Sequence, residues 1–188
     1  MKNNSILVNS FFPTNSRSQY FIKLILLCAI GCIMLTLSSK IQVPFWPVPM
    51  TMQTFVVFIL GMSYGFSFGS YTVISYLLLG AIGLPVFAKG GGLLYLTGPT
   101  AGYLYGMALA AAVIGFFADR GCAKSYFKSF IAIILGTIII FSLGVGYLGS
   151  IIGFDKALAG GLYPFVFSEV FKIALAVAII PTIFRLTK

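Results

Sequence analysis

Between Tyr20 and Phe184 the chain runs through a succession of apolar stretches near the length of a bilayer, each broken by Gly, Pro or charge. A hydrocarbon core about 30 Å thick takes roughly 20 helical residues to cross. No water satisfies backbone groups there, so only helices or closed barrels can span it. The stretches predict helices over residues 20–38, 50–64, 67–84, 100–118, 129–148 and 163–184. Little more than Ser63-Tyr64-Gly65-Phe66 joins the second to the third, and the second is short. The fold expected is an all-α integral membrane protein, a six-transmembrane-helix bundle with structured external loops. A polar cytoplasmic segment at 1–19 precedes a single membrane domain at 20–188, with no internal repeat or linker to divide it. Tyr20 to Leu37 is long for a signal-peptide core and lacks an A-x-A cleavage pattern, so it reads as a retained first span. Composition agrees: 8% of residues are charged, against about a quarter in a soluble domain.

Orientation follows from Lys and Arg in the connections. One side holds Lys2, Arg17, Lys23, Arg120, Lys124, Lys128, Arg185 and Lys188; the other holds only Lys40, Lys89 and Lys156. Both termini are therefore expected in the cytoplasm. The net charge of +9 is scattered between apolar runs and is explained by topology, with no nucleic-acid-binding motif beside it.

One span carries an anomaly. Glu169 and Lys172 lie three positions apart within the apolar stretch from Leu162 to Phe184. Ionisable groups inside a membrane are expensive and usually face a bundle interior or a cavity. An i, i+3 pair projects from one helical face. With Pro164 opening the helix, the pair lies roughly 8 and 12 Å below its start at about 1.5 Å per residue. That depth suits a small polar ligand entering from outside; a self-satisfied ion pair locking two helices together is the alternative.

The external connections are unlike ordinary loops. The first, Lys40 to Thr51, carries Pro44, Pro47 and Pro49 around the sole Trp, Trp46, and proline stiffens such a segment into an extended course. The second, Leu84 to Thr100, holds Pro85, Lys89-Gly90-Gly91-Gly92, Tyr95 and Gly98-Pro99-Thr100. The third, Gly149 to Tyr163, holds Asp155-Lys156 and Gly160-Gly161. Irregular backbone of this kind on one side suggests a lid over a pocket, because it is tolerated where it lines a cavity.

Enzyme chemistry lacks its parts. The chain has no His and only Asp119, Asp155 and Glu169 as acids, with Asp119 expected on the side opposite the other two. Paired-carboxylate catalysis and a carboxylate-rich metal site are disfavoured, and no cofactor is implied. Gly90-Gly91-Gly92 leads into Leu-Leu-Tyr and is no P-loop. Cys28, Cys32 and Cys122 form no CxxC pair, which supports neither a disulfide framework nor a zinc site. What remains is a membrane binding protein, working with an energised partner.

Three motifs, in order and at matching spacing, resemble the BioY proteins, the biotin-specific S components of energy-coupling-factor (ECF) vitamin transporters. They are Val43-Pro-Phe-Trp-Pro-Val-Pro-Met-Thr-Met-Gln-Thr54, then Leu79-Gly-Ala-Ile-Gly-Leu-Pro-Val-Phe87 with the glycine run, then Leu96-Thr-Gly-Pro-Thr-Ala-Gly-Tyr103. The last span resembles the family's Asp-x-x-Lys helix, with Glu169 at the acid and Lys172 at the base. The resemblance covers about residues 21–184 and implies a six-helix bundle in the bacterial cytoplasmic membrane that takes biotin from outside. It also implies a transmembrane T component and two ABC ATPase subunits as partners. Two departures stand out: Glu169 is one methylene longer than the family's Asp, and Lys89 stands where the family often has Gly or a small polar residue.

Biotin combines a ureido group, an apolar thioether ring and a carboxylate tail, so a matching site needs deep polar partners, apolar walls and a cation. The expected substrate-binding residues are Glu169 for the ureido N–H groups, Lys172, Lys89 for the carboxylate, and Trp46, Tyr95 and Tyr163 as walls and lid. Phe45 is a further candidate for the walls, and Gln53, Thr97, Thr100 and Tyr103 are the candidates for neutral hydrogen bonds. Lys172 either donates to the ureido oxygen or holds Glu169 ionised. Cys28, Cys32 and Thr36 recur every fourth residue, a small-residue stripe that permits close helix approach and is expected to serve either T-component docking or internal packing. A binding component for a different small molecule and a purely structural membrane protein are the rival readings.

Overall fold

The computed structural model describes residues 6–8 and 16–186. In chain order it contains α1 (Arg17–Lys40), a short ribbon of β1 (Gln42–Val43) and β2 (Met50–Thr51), then α2 (Gln53–Ala81) and α3 (Ala101–Asp119). There follow α4 (Tyr126–Ile152), α5 (Phe154–Gly161) and α6 (Tyr163–Leu186), with single turns of tighter helix at Leu93–Thr97 and Cys122–Lys124. Most of the expected polar segment 1–19 lies outside the described residues; Ile6, Leu7 and Val8 within it are buried.

Among the described residues five helices, all but α5, are long and apolar enough to cross a membrane. Six spans were expected, and the difference lies in α2, where the second and third expected spans form one element. It is not a straight rod. Gly65 sits at φ 76° and ψ −172°, outside helical geometry, and beyond it the chain doubles back. A Cβ on Gly69 would lie 3.5 Å from the Cα of Gly61, and Gln53 Nε2 donates to the Tyr76 hydroxyl at 2.8 Å. In a continuous helix Gln53 and Tyr76 would stand about 35 Å apart. The second leg opens at Phe66, whose N–H is accepted by Asp119 Oδ2 at 3.2 Å. This satisfies a donor that a helix start otherwise leaves orphaned.

The two legs of α2 pack against α3, α3 packs against α4, and α6 closes the circuit by contacting both α4 and α2. At the Gly65 end backbones nearly touch: a Cβ on Gly115 of α3 would lie 2.5 Å from the Gly65 carbonyl. Small residues are how membrane helices approach so closely without a hydrophobic drive between them. At the other end both legs of α2 and helices α3, α4 and α6 start or finish. There, the ribbon pairs Gln42 with Thr51 and Val43 with Met50, bringing the proline-rich connection down onto the mouth of the bundle. Helix α1 lies along α2 and leaves Ile22, Ile25, Leu26, Ile30 and Ile33 exposed, as a lipid-facing surface should.

Gly65→Ala forces an L-residue to positive φ, about 1–2 kcal/mol of strain, and drives its Cβ onto Asp119 Oδ1. Thermal unfolding in detergent is expected to shift clearly downward. Gly146→Ala, where a Cβ meets nothing within 4 Å, is the control and is expected to leave stability unchanged or to raise it by up to about 1 kcal/mol.

Candidate ligand-binding site

Helix α6 starts at Tyr163, with Pro164 as its second residue, a position where the missing N–H costs nothing. From that start, Phe165, Glu169 and Lys172 fall on one face at i, i+4 and i+7, and all three are buried. Glu169 is 4% exposed and Lys172 3%. Their charges pair directly, Lys172 Nζ lying 2.6 Å from Glu169 Oε1.

The ammonium has two further partners. It donates to the Thr51 carbonyl at 2.6 Å and to Thr54 Oγ1 at 3.1 Å. A lysine carries three donors, and all three are engaged. Thr54 passes its own proton on, donating to Glu169 Oε1 at 2.8 Å. The carboxylate thus meets the first turn of α2, whose partial positive charge favours an anion.

Both donors reach the same carboxylate oxygen. Glu169 Oε2 is buried and has no hydrogen-bond partner among the described residues. Glu169 is among the residues that line a small cavity at this end of the bundle. One aromatic wall comes from the second connection, where Phe87 and Tyr95 stack at 4.9 Å. The other comes from three helices: Tyr103 of α3 stacks on Phe165 of α6 at 6.4 Å and meets Phe141 of α4 edge-on at 5.9 Å. The Tyr103 hydroxyl donates to the Gly161 carbonyl at 2.8 Å. Its ring lies where any side chain at Gly144 would collide with it. Val48, Pro49, Thr100, Leu104 and Met107 complete the lining.

Gln53 also lines the cavity and ties the first wall to the bundle. Its Nε2 donates to Tyr76, whose hydroxyl donates to the Val86 carbonyl at 2.8 Å. The Ser39 hydroxyl and the Lys40 ammonium, at the end of α1, donate to the carbonyls of Val86 and Phe87 at 2.8 and 2.6 Å.

Of the residues singled out in the sequence, Glu169, Lys172, Tyr95, Tyr103 and Gln53 come together around this cavity. Trp46 (78% exposed) and Tyr163 (64%) lie at the surface. Lys89 is exposed beside the lining residue Ala88. None of these three lines the cavity. Cys32 is buried, with its thiol 3.6 Å from the Thr72 carbonyl of α2, and Thr72 Oγ1 lies 3.7 Å from Cys28 Sγ. One edge of the Cys28, Cys32 and Thr36 stripe borders an apolar groove between α1 and the second leg of α2.

Sequence reasoning did not single out Thr51, Thr54, Phe87, Phe141 or Phe165. Thr51, Thr54 and Phe87 stand inside the quoted motifs, and Phe165 is one turn before Glu169, so each had a signal. Phe141 is one of 19 phenylalanines, and nothing in its neighbourhood separates it from a lipid-facing ring.

The comparisons with known proteins agree with this architecture. The BioY family model matches residues 9–188. A biotin transporter BioY of Thermotoga maritima is 40% identical over 149 residues, 78% of this chain and 86% of the relative. A probable biotin transporter BioY of Pyrococcus horikoshii is 32% identical over 81% of this chain and 91% of its own. The crystal structure of an S-component for biotin from an ECF-type ABC transporter superposes with a TM-score of 0.78 at 26% identity, covering 92% of this chain and 95% of that one.

If the pair exists for the cavity and not for stability, the two roles separate by mutation. Glu169→Ala alone strands a buried ammonium and is expected to cost about 3–5 kcal/mol. Replacing both partners with apolar residues, Glu169→Leu with Lys172→Met, is expected to recover most of that loss. Thermal unfolding of the ligand-free variants reads the difference.

Proposed function

This chain belongs to the BioY family, and from that premise we propose that it captures biotin from outside the cell for uptake. The observation that carries the proposal is the orphaned Glu169 Oε2. A buried carboxylate oxygen without a partner is costly unless something donates to it. With Glu169 lining an aromatic cavity, this oxygen suits a ligand that brings N–H groups on an apolar ring. The ureido group of biotin does so, and its thioether ring suits the space between the Phe87–Tyr95 stack and the Tyr103–Phe165 stack.

Lys172 has spent its donors on Glu169, Thr51 and Thr54, which favours its role as the partner of Glu169 over donation to the ureido oxygen. Lys89 is the candidate cation for the carboxylate tail, and Trp46 and Tyr163 are lid residues that the occupied site would cover. The two legs of α2 both cross the bilayer in this proposal, giving six spans and both termini in the cytoplasm of a bacterial inner membrane. The chain is a transport component and not an enzyme. A transmembrane T component and two ABC ATPase subunits would drive release, docking along α1 beside Cys28, Cys32 and Thr36.

Calorimetry on the purified chain in detergent tests the substrate: saturable binding of biotin is expected, with thiamine inert. Glu169→Gln, which keeps the shape but loses the charge, is expected to weaken biotin by at least about tenfold, in line with about 1.5–3 kcal/mol for a hydrogen bond to a charged group. Unchanged affinity in a folded Glu169→Gln protein contradicts the assignment. Because Trp46 is the sole tryptophan, its emission reports the lid directly. A blue shift on adding biotin is expected, and an unaltered spectrum at saturation removes Trp46 from the lid.

A further inference from the structure

We propose that Thr54 is a positioning residue, which fixes the Glu169 carboxylate so that one of its oxygens stays free for the ligand. The proposal rests on the reading of this site as a biotin pocket. A glutamate's terminal torsion is broad, so a carboxylate held by a single ammonium is free to turn and share both oxygens with the cation. That motion would engage the acceptor that is otherwise left free. Thr54 prevents it. Its hydroxyl donates to Oε1 at 2.8 Å while accepting from Lys172 at 3.1 Å, so Oε1 receives two donors from two different helices. Oε2 is left as the oxygen with spare lone pairs.

The placement of Thr54 is not incidental. It lies in the first turn of α2, directly after the ribbon whose Thr51 carbonyl takes another of the lysine's protons. The triangle of Thr54, Glu169 and Lys172 is buried throughout, so water does not compete for the donors. Within this triangle Lys172 supplies charge and Thr54 supplies direction. The consequence is a donor-selective floor: a ligand must offer N–H groups to Oε2, and one that offers an acceptor or a methyl group there is refused.

Thr54→Val removes the hydroxyl at nearly constant shape, and Thr54→Ser keeps it. Calorimetry with biotin and with biotin methylated on a ureido nitrogen, on the full chain in detergent, reads the selectivity. Thr54→Val is expected to weaken biotin about tenfold and the methylated analogue by less than about twofold, narrowing the preference. Thr54→Ser is expected to keep both affinity and preference near those of the parent. Parent-like binding by Thr54→Val, or equal losses for both ligands in both variants, overturns the proposal. A ligand-free measurement stands apart from the identity of the substrate. Glu169 is one of only three acids in the chain, so its carboxylate stretch can be assigned in infrared difference spectra against Glu169→Gln. Thr54→Val is expected to shift that band and Thr54→Ser to restore it. A band indifferent to Thr54 overturns the positioning role whatever the pocket binds. A shifted band in a parent chain that ignores biotin keeps the role and overturns the substrate.

Discussion

The Lys172 ammonium is the point on which the rest of the structure turns. It is a full charge buried among apolar helices, and its three donors reach Glu169 on its own helix, the Thr51 carbonyl on the ribbon and Thr54 at the start of α2. An ion at that depth is tolerable only with complete pairing. Complete pairing in turn requires that α6, α2 and the proline-rich connection stand in one fixed relation. The end of the bundle that holds the site is therefore specified by a polar constraint, whereas the opposite end is specified by contact between Gly65 and Gly115. Between the two, the helices lack the hydrophobic drive that packs a soluble core, and close backbone approach does the work.

From that arrangement the chemistry follows with little freedom. One carboxylate oxygen of Glu169 is bonded within the protein and the other has no partner among the described residues. The walls are aromatic on two sides. The mouth is bordered by backbone that is bonded to the end of α1 through Ser39, Lys40 and Gln42. A flat ring carrying N–H donors is the ligand that the proposed function assigns to this cavity. The chain belongs to the BioY family and superposes on an S-component for biotin.

The parts of this that are legible in sequence are those with few alternative explanations. Two opposite charges at i, i+3 within an apolar span are one such feature, and a succession of bilayer-length apolar stretches is another. The short link around Gly65 is legible as a soft boundary, but not as a fold-back within one element, because a positive φ leaves no mark beyond the glycine itself. Trp46 and Tyr163 attract attention through residue type and position, yet the closed cavity is formed by rings closer to the helices. Lys89 sits next to a lining residue with its own side chain in solvent. Thr54 illustrates the opposite failure. A threonine in a helix's first turn has several ordinary uses, and only the geometry places its hydroxyl between the two charges. Phe141 is hidden among many equals.

The central claim is that the free oxygen of Glu169 receives the ureido N–H groups of bound biotin. A structure of this chain with biotin bound, at a resolution that orients the ureido ring, tests it most directly. The account predicts a ureido nitrogen about 2.7–3.1 Å from Glu169 Oε2, with Oε1 still held by Lys172 and Thr54 and the thioether ring between the aromatic walls. A ureido group bonded elsewhere, or a Glu169 carboxylate turned away from the ligand, would contradict it.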